Sequence, residues 1–401
     1  MNIGSRMRII FLFLYNGSTE SGIYKKAFSQ VQLLNNMGID ANLLLIGDIN
    51  KTVVNPPFII RKPVISGKND GAIVRIIRSR KIAGIVRDYI RNLGPSDVLY
   101  VRYSLLIPYC PINFFRPFRK CKLIFEHNAI PHKEYLQTRE FLCLLFEFFF
   151  GNFVLFQADG GIGVTNEITK FQRNKLWEGK KPFLTISNGI TVDSIPLRSP
   201  PEFVPNQNIT IICVAHFSSW HGVDRFILGL SGYAGKSSIT LHLVGDGAEV
   251  PNLERLCIKN GISDRVIFHG FLSGLELDRL FDQSHIAIGE MGIHRKKLSE
   301  SSTLKSREYC SRGIPYIIES SDPDFPDDFP YIMRIPADES PIDVGRVLMF
   351  ASRVCQDMDH PEKMRQYAVE HLDWSIKMKQ LKVFLEESIV KNGSSPDLGS
   401  P

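Results

Sequence analysis

The sequence predicts an α/β protein with two mostly parallel sheets, each covered by helices on both faces. Two observations carry that expectation. Short apolar runs alternate with helical patterns, and they do so in two successive series. A proline-rich stretch without periodicity, PLRSPPEFVPNQN at 196–208, separates the series and reads as a linker. The chain of 401 residues has room for about two or three domains that each bury a core. With 44% hydrophobic and 22% charged residues it has a globular composition, which excludes disordered and collagenous classes. A net charge of +6 suits an anionic substrate or an anionic lipid surface, but is too small to demand nucleic acid.

In the first series the strands are expected at IIFLFL (9–14), ANLLLI (41–46), DVLYVRY (97–103), KLIFEH (122–127), GGIGVT (160–165) and FLTIS (183–187). The clearest helix lies at 23–38, where Ala27, Val31, Leu34 and Met37 recur at helical spacing and Gly38 supplies the stop. The opening RMRIIFLFLYNG imitates a short signal peptide. Its apolar run is at the short limit for one, and Asn16-Gly17 and a helical pattern follow directly, so a buried first strand is the better reading. No clean apolar run is long enough for a transmembrane helix.

The second series places strands at ITIICVA (209–215), ITLHLVG (239–245), RVIFHG (265–270), HIAIGE (285–290), PYIIE (315–319) and YIMRI (331–335). Helices follow from about 341 to 390, and the last ten residues, NGSSPDLGSP, read as a disordered tail. Seven cysteines, Cys110, Cys121, Cys143, Cys213, Cys257, Cys310 and Cys355, form no Cys-x-x-Cys pair. They read as reduced thiols of a cytosolic protein.

The stretch REFLCLLFEFFFGNFVLF (139–156) is unusually aromatic, with Glu147 and Gly151 as interruptions. Two readings stand: a helix running into a buried strand, or a hydrophobic face that meets membrane. Basic segments at 75–91 and 116–122 lie in the same half and suit an anionic lipid surface.

The most informative motif is Glu300 and Glu308 with Lys305 between them, in LSESSTLKSREYCSRGIPYII (298–318). It lies between two strand patterns, where an α/β protein binds its ligands. Three further segments precede it: VAHFSSWHGVDRFI (214–227), LVGDGAEVPNLERL (243–256) and VIFHGFLSGLELDRLFDQSHIAIGE (266–290). In order and spacing the four resemble the retaining family-4 glycosyltransferases of the GT-B fold. The variant with Trp-His-Gly-Val-Asp-Arg and Leu-Lys-Ser-Arg-Glu-Tyr is similar to bacterial enzymes of capsule and exopolysaccharide assembly.

The resemblance implies two Rossmann-like domains facing a central cleft: an acceptor domain over 1–195, a nucleotide-sugar domain over 196–372, and a C-terminal helix over 373–391 packing back on the first domain. It implies that Glu308 accepts hydrogen bonds from the ribose hydroxyls, that Glu300 binds the transferred sugar, and that Lys305 neutralises the diphosphate. His127, which ends a strand in EHNAIPHKEY, would lie near the donor sugar. His216 and His221 stand where the family has arginine and lysine. They either donate neutral hydrogen bonds or leave the missing charge to Lys305, Arg225 and Arg307. Gly245, Gly247 and Ser306 complete the donor set, and Ser21 and Gly22 stand at the family's glycine loop.

The implied reaction moves a sugar from a nucleotide-sugar to a glycan or polyprenyl-diphosphate-linked acceptor, with retention of configuration. It needs no cofactor and no obligatory metal. The expected place is the cytoplasm, at the inner face of the plasma membrane. The alternatives are a GT-B epimerase or hydrolase, or a non-catalytic nucleotide-sugar-binding subunit. Asp322 and Asp324, in SSDPDFPDDFP, are the one candidate for a hard metal, and a solvated loop is the other reading.

Overall fold

The computed structural model describes residues 7–14, 22–47, 56–64, 72–103, 119–138, 140–176, 181–204 and 206–390. Its contacts divide the chain into two units. The first is Met1–Ser187 with Trp374–Pro401, and the second is Asn188–Asp373.

The first unit holds β1 (Arg8–Leu14), α1 (Gly22–Asn36), β2 (Asp40–Gly47), β3 (Ile59–Pro63), α2 (Ala72–Arg91), β4 (Val98–Arg102) and β5 (Lys122–His127). It continues with α3 (Pro131–Thr138), α4 (Phe141–Gln157), β6 (Gly160–Gly163), α5 (Asn166–Asn174) and β7 (Phe183–Thr185). All seven strands pair in parallel in the order β3-β2-β1-β4-β5-β6-β7. β1 is a continuous apolar run because both of its faces are buried. Ile9, Phe11 and Phe13 face α1, while Ile10 and Leu12 face the opposite core with Ile82, Val86 and Ile90 of α2 and Val154 and Leu155 of α4. The stretch that imitates a signal peptide is therefore an interior strand of the sheet, between β2 and β4.

β3 is absent from the sequence expectation. Arg61, Lys62 and Pro63 interrupt its apolar pattern, which an edge strand tolerates because one side is unpaired.

The second unit holds β8 (Ile209–Val214), α6 (Val223–Ser231), β9 (Ile239–Val244), α7 (Val250–Lys259), β10 (Val266–Gly270), α8 (Leu275–Asp282) and β11 (Ile286–Ile288). Then come α9 (Leu304–Arg312), β12 (Tyr316–Ile318), β13 (Ile332–Arg334), α10 (Val344–Cys355) and α11 (His360–Tyr367). The six strands are parallel in the order β10-β9-β8-β11-β12-β13. Ile209, Ile211 and Cys213 pack under α6 and α10, and Ile212 and Ala287 pack under α9 and α11. Truncating a fully buried aromatic such as Phe226 in this core would cost about 3–5 kcal/mol.

The proline-rich stretch is part of the second unit's packing. Arg198 is buried there, with Nε donating to the Gly313 carbonyl at 3.0 Å and Nη2 3.0 Å from His360 Nε2. At the other end the chain leaves the second unit at Asp373. Helix α12 (Trp374–Phe384) packs Trp374, Met378 and Leu381 against the β1 face of the first unit. Cys121, Cys143, Cys213, Cys257, Cys310 and Cys355 are all free thiols.

Candidate functional site

In the second unit the sheet order reverses between β8 and β11, the place where doubly wound sheets bind ligands beyond the strand C-termini. β8 runs out into the loop 215–222, and β11 into the loop 289–303. The two loops meet: Met291 N–H donates to the His221 carbonyl at 3.0 Å.

Glu290, at the end of β11, is the hub of this site. It is buried, and its Oε1 lies 3.1 Å from Lys305 Nζ. Its Oε2 accepts a hydrogen bond from Thr303 Oγ1 at 3.1 Å. Thr303 is also the N-cap of α9, taking the Ser306 N–H at 3.3 Å. One carboxylate thus fixes both the start of α9 and the ammonium of its first turn. Asn188 N–H donates to Ser302 Oγ at 2.8 Å and ties the same loop from the other side.

The contacts of His221 fix its tautomer. Its Nδ1 accepts from Ser218 N–H at 3.0 Å, so the neutral ring carries its proton on Nε2. Burial pushes its pKa down to about 2, and the charges of Lys305 and Lys296 push the same way. His221 is therefore a neutral ring close to Lys305. His216 sits on the exposed rim, with Nδ1 2.8 Å from Asp246 Oδ1.

Gly245 and Gly247 bring a third loop against these two. A Cβ on Gly245 would lie 1.9 Å from the Ala215 carbonyl oxygen, and one on Gly247 would lie 2.3 Å from that of Phe217. Both also hold positive φ, so only glycine lets the β9–α7 loop close on the β8 loop.

Several expected site residues are committed elsewhere. Arg225 is buried and uses all five N–H donors: on the carbonyls of Ser340, Met291 and Pro336, and on Glu319 and Asp338. Arg307 is likewise spent on Asn188 O, Thr303 O, both oxygens of Asp322, and Asp324. Neither supplies charge to a ligand, because a buried guanidinium must satisfy its own donors. Asp322 and Asp324 are not a solvated loop; they are the counter-ions of Arg307. The Ser306 hydroxyl is buried against Thr303 Oγ1 at 3.0 Å. Of the three cations expected to replace the missing charge, Lys305 is the one placed at the strand ends.

Glu308, on α9, has Oε1 paired with Arg312 Nε at 2.9 Å. This is the i, i+4 helix pairing that the spacing allows. Arg312 is anchored further by Asp278 at 2.8 Å and lies over the Phe281 ring. Glu300 is half-buried in a loop that pairs with the segment after β12, where Ser301 N–H donates to Ser321 O at 2.9 Å.

In the first unit, Arg102, Tyr103, Glu126, His127, Asn128 and Glu134 line a small cleft at the ends of β4 and β5. His127 is buried, and neither ring nitrogen has a hydrogen-bond partner among the described residues. Burial, helped by the Lys175 charge, drives its pKa down to about 3, so the ring is neutral. Burial pushes the neighbouring Glu126 up, but Lys26 outweighs it and holds the carboxyl below the usual range. The two side chains are 2.7 Å apart. Gly22 is the first residue of α1, and Ser21 lies outside the described residues.

Sequence reasoning missed Lys26 and Thr303. Lys26 and Gln30 occupy buried positions one turn apart on α1, and polar residues on a core-facing stripe were the available signal. Thr303, three residues before Ser306, was legible as an N-cap.

Residues 197–325 match the family model described as Glycosyl transferases group 1. Several solved structures are similar in fold. A sucrose-phosphate synthase from Thermosynechococcus elongatus is 14% identical at a TM-score of 0.70, over 97% of this chain and 100% of that one. Anabaena HepE, solved in complex with UDP and glucose, is 13% identical at 0.62, over 95% and 99%. WaaG, a glycosyltransferase involved in lipopolysaccharide biosynthesis, is 13% identical at 0.61, over 94% and 99%. A search of curated proteins returns no sequence match. The fold is GT-B: two α/β units with parallel sheets of seven and six strands.

Proposed function

We propose that this protein transfers a sugar from a nucleotide-sugar, with retention of configuration, to a glycan or polyprenyl-diphosphate-linked acceptor. The setting is assembly of a cell-surface polysaccharide such as capsule, at the cytoplasmic face of the membrane. One observation carries the reading. Inside the segment that matches group 1 glycosyltransferases, Lys305, the first turn of α9 and neutral His221 converge where β8 and β11 end.

As the glycosidic bond breaks, the leaving diphosphate gathers negative charge. Lys305 and the N-terminal end of α9 stabilise it, and His221 Nε2–H adds a neutral donor. Glu308 keeps Oε2 for the ribose hydroxyls beside its contact with Arg312. Glu300 meets the transferred sugar. In the first unit, neutral His127 lies near the donor sugar, beside the Glu126–Lys26 pair. The leaving phosphate takes the acceptor's proton, so no step calls for a metal ion.

The commitment of Arg225 and Arg307 inside the unit favours one rival: a subunit that binds nucleotide-sugar without turning it over. Mass spectrometry across a donor panel, with and without membrane lipid extract, separates the readings. Transfer requires acceptor-dependent release of nucleoside diphosphate and an acceptor heavier by one sugar. Release without acceptor means hydrolysis. An isomerised donor sugar without release means epimerisation. Binding without any product means the non-catalytic subunit.

A further inference from the structure

Helix α4 is amphipathic in reverse. Its exposed side is apolar apart from Asn152: Leu142, Leu145, Phe148, Phe149, Phe153 and Phe156 are each between 50% and 80% exposed. At 3.6 residues per turn they fall within an arc of roughly 140°. Its one charged residue, Glu147, is buried. Tyr103 Oη donates to Glu147 Oε2 at 2.8 Å, and Lys175 Nζ lies 2.7 Å from Oε1. Gly151 makes room for that carboxylate, since a Cβ there would lie 2.5 Å from Glu147 Cδ.

These contacts lock the helix rotation. Turning the phenylalanines inward would strip Glu147 of both partners. The fold therefore spends a buried ion pair on keeping an aromatic face outward. Single exposed apolar residues need no explanation, whereas a contiguous face of this kind marks an interaction site.

Charge identifies the occupant. Helix α2 packs into the same face of the sheet as α4, through Ile82, Val86 and Ile90 beside Val154 and Leu155. Its outward side exposes Arg80, Lys81, Arg87 and Arg91 against a single acid, Asp88. An apolar face beside a basic one fits acyl chains beneath anionic headgroups. A second copy of the chain fits poorly. A two-fold contact sets the same patch against itself, and the two arginine rows would repel each other. At 17 residues α4 is about 25 Å long, and no helix of the described residues is long and apolar enough to cross a membrane.

We propose that the outward face of α4 embeds in the headgroup–acyl boundary of an anionic membrane, with the helix axis in the membrane plane and α2 on the lipid phosphates. The full-length protein tests this by flotation with phosphatidylcholine vesicles, with and without phosphatidylglycerol. Wild type should float with the anionic vesicles, and salt should weaken but not abolish that binding. Changing Phe148→Ser and Phe149→Ser together should lower partitioning at least about tenfold, with circular dichroism and melting unchanged because both side chains already face water.

Phe148→Trp supplies a second readout. Its emission should shift to the blue on anionic vesicles and be quenched by brominated acyl chains. Unchanged emission, or binding that salt removes entirely and the serine changes leave intact, overturns the embedded-helix reading. So does a dimer in sedimentation equilibrium that the serine changes dissociate while vesicles go unbound; the occupant is then a second copy. The readouts need no turnover, so failure of the transfer reading would leave this result standing, and the reverse.

Discussion

Lys305 offers a test in which structure and function pull apart. Its ammonium is 3.1 Å from Glu290, whose carboxylate is buried and otherwise held by Thr303. Lys305→Met strands that carboxylate. The cost should be about 3 kcal/mol, the low end for breaking a buried pair, because Lys305 keeps 15% exposure. If Lys305 also neutralises the diphosphate, turnover should fall by about 100- to 1,000-fold, the effect of removing one fixed donor from a developing anion. Lys305→Met combined with Glu290→Gln removes both charges and keeps a partner for Thr303. That double variant should regain most of the lost stability and none of the activity. Urea unfolding and steady-state release of nucleoside diphosphate on the same preparations read both quantities. Activity that returns together with stability would make Lys305 a structural partner of Glu290 and refute the phosphate role.

Three other expectations follow from the same contacts. Glu308→Gln should weaken donor binding or turnover about 10- to 100-fold, one charge-assisted interaction of about 1.5–3 kcal/mol; unchanged kinetics in a folded variant would leave Glu308 only its pairing with Arg312. For His127 the folded pKa, about 3, lies below the unfolded value of about 6.5, so below that pH the unfolded chain binds the proton first and stability falls as pH falls. The slope should approach about 1.4 kcal/mol per pH unit and flatten in His127→Gln, and parallel melting curves from pH 4 to 7 would contradict it. Gly151→Ala should destabilise the first unit by about 2–4 kcal/mol by pressing on the buried Glu147 carboxylate, which a melting temperature equal to wild type would disprove.

The alternation of apolar runs made most of the sheet legible, because strands buried on both faces must be continuously apolar. β3 escaped because an edge strand tolerates Arg61, Lys62 and Pro63. The motif segments pointed to the ends of β8, β9 and β11, and Lys305, His221, Gly245 and Gly247 lie there. What the sequence concealed was direction. Arg225 and Arg307 read as phosphate ligands by charge and position, yet both point into the unit, where carbonyls and carboxylates consume their donors. Asp322 and Asp324 looked solvated in a proline-rich loop because the counter-ion, Arg307, lies in a different element. In α4 the composition left both burial and a membrane face open. Only the contacts of Glu147 decide which way the aromatic rings turn.

Hydrogen–deuterium exchange with the nucleoside diphosphate of whichever donor the panel selects locates the nucleotide on the chain. Exchange should slow in the loops 215–222, 245–249 and 289–303 and in the first turn of α9, all in the second unit. Lys305→Met combined with Glu290→Gln should abolish that protection at the same ligand concentration. Protection confined to the first unit, or protection that survives the double variant undiminished, would contradict the assignment of the nucleotide to the ends of β8 and β11.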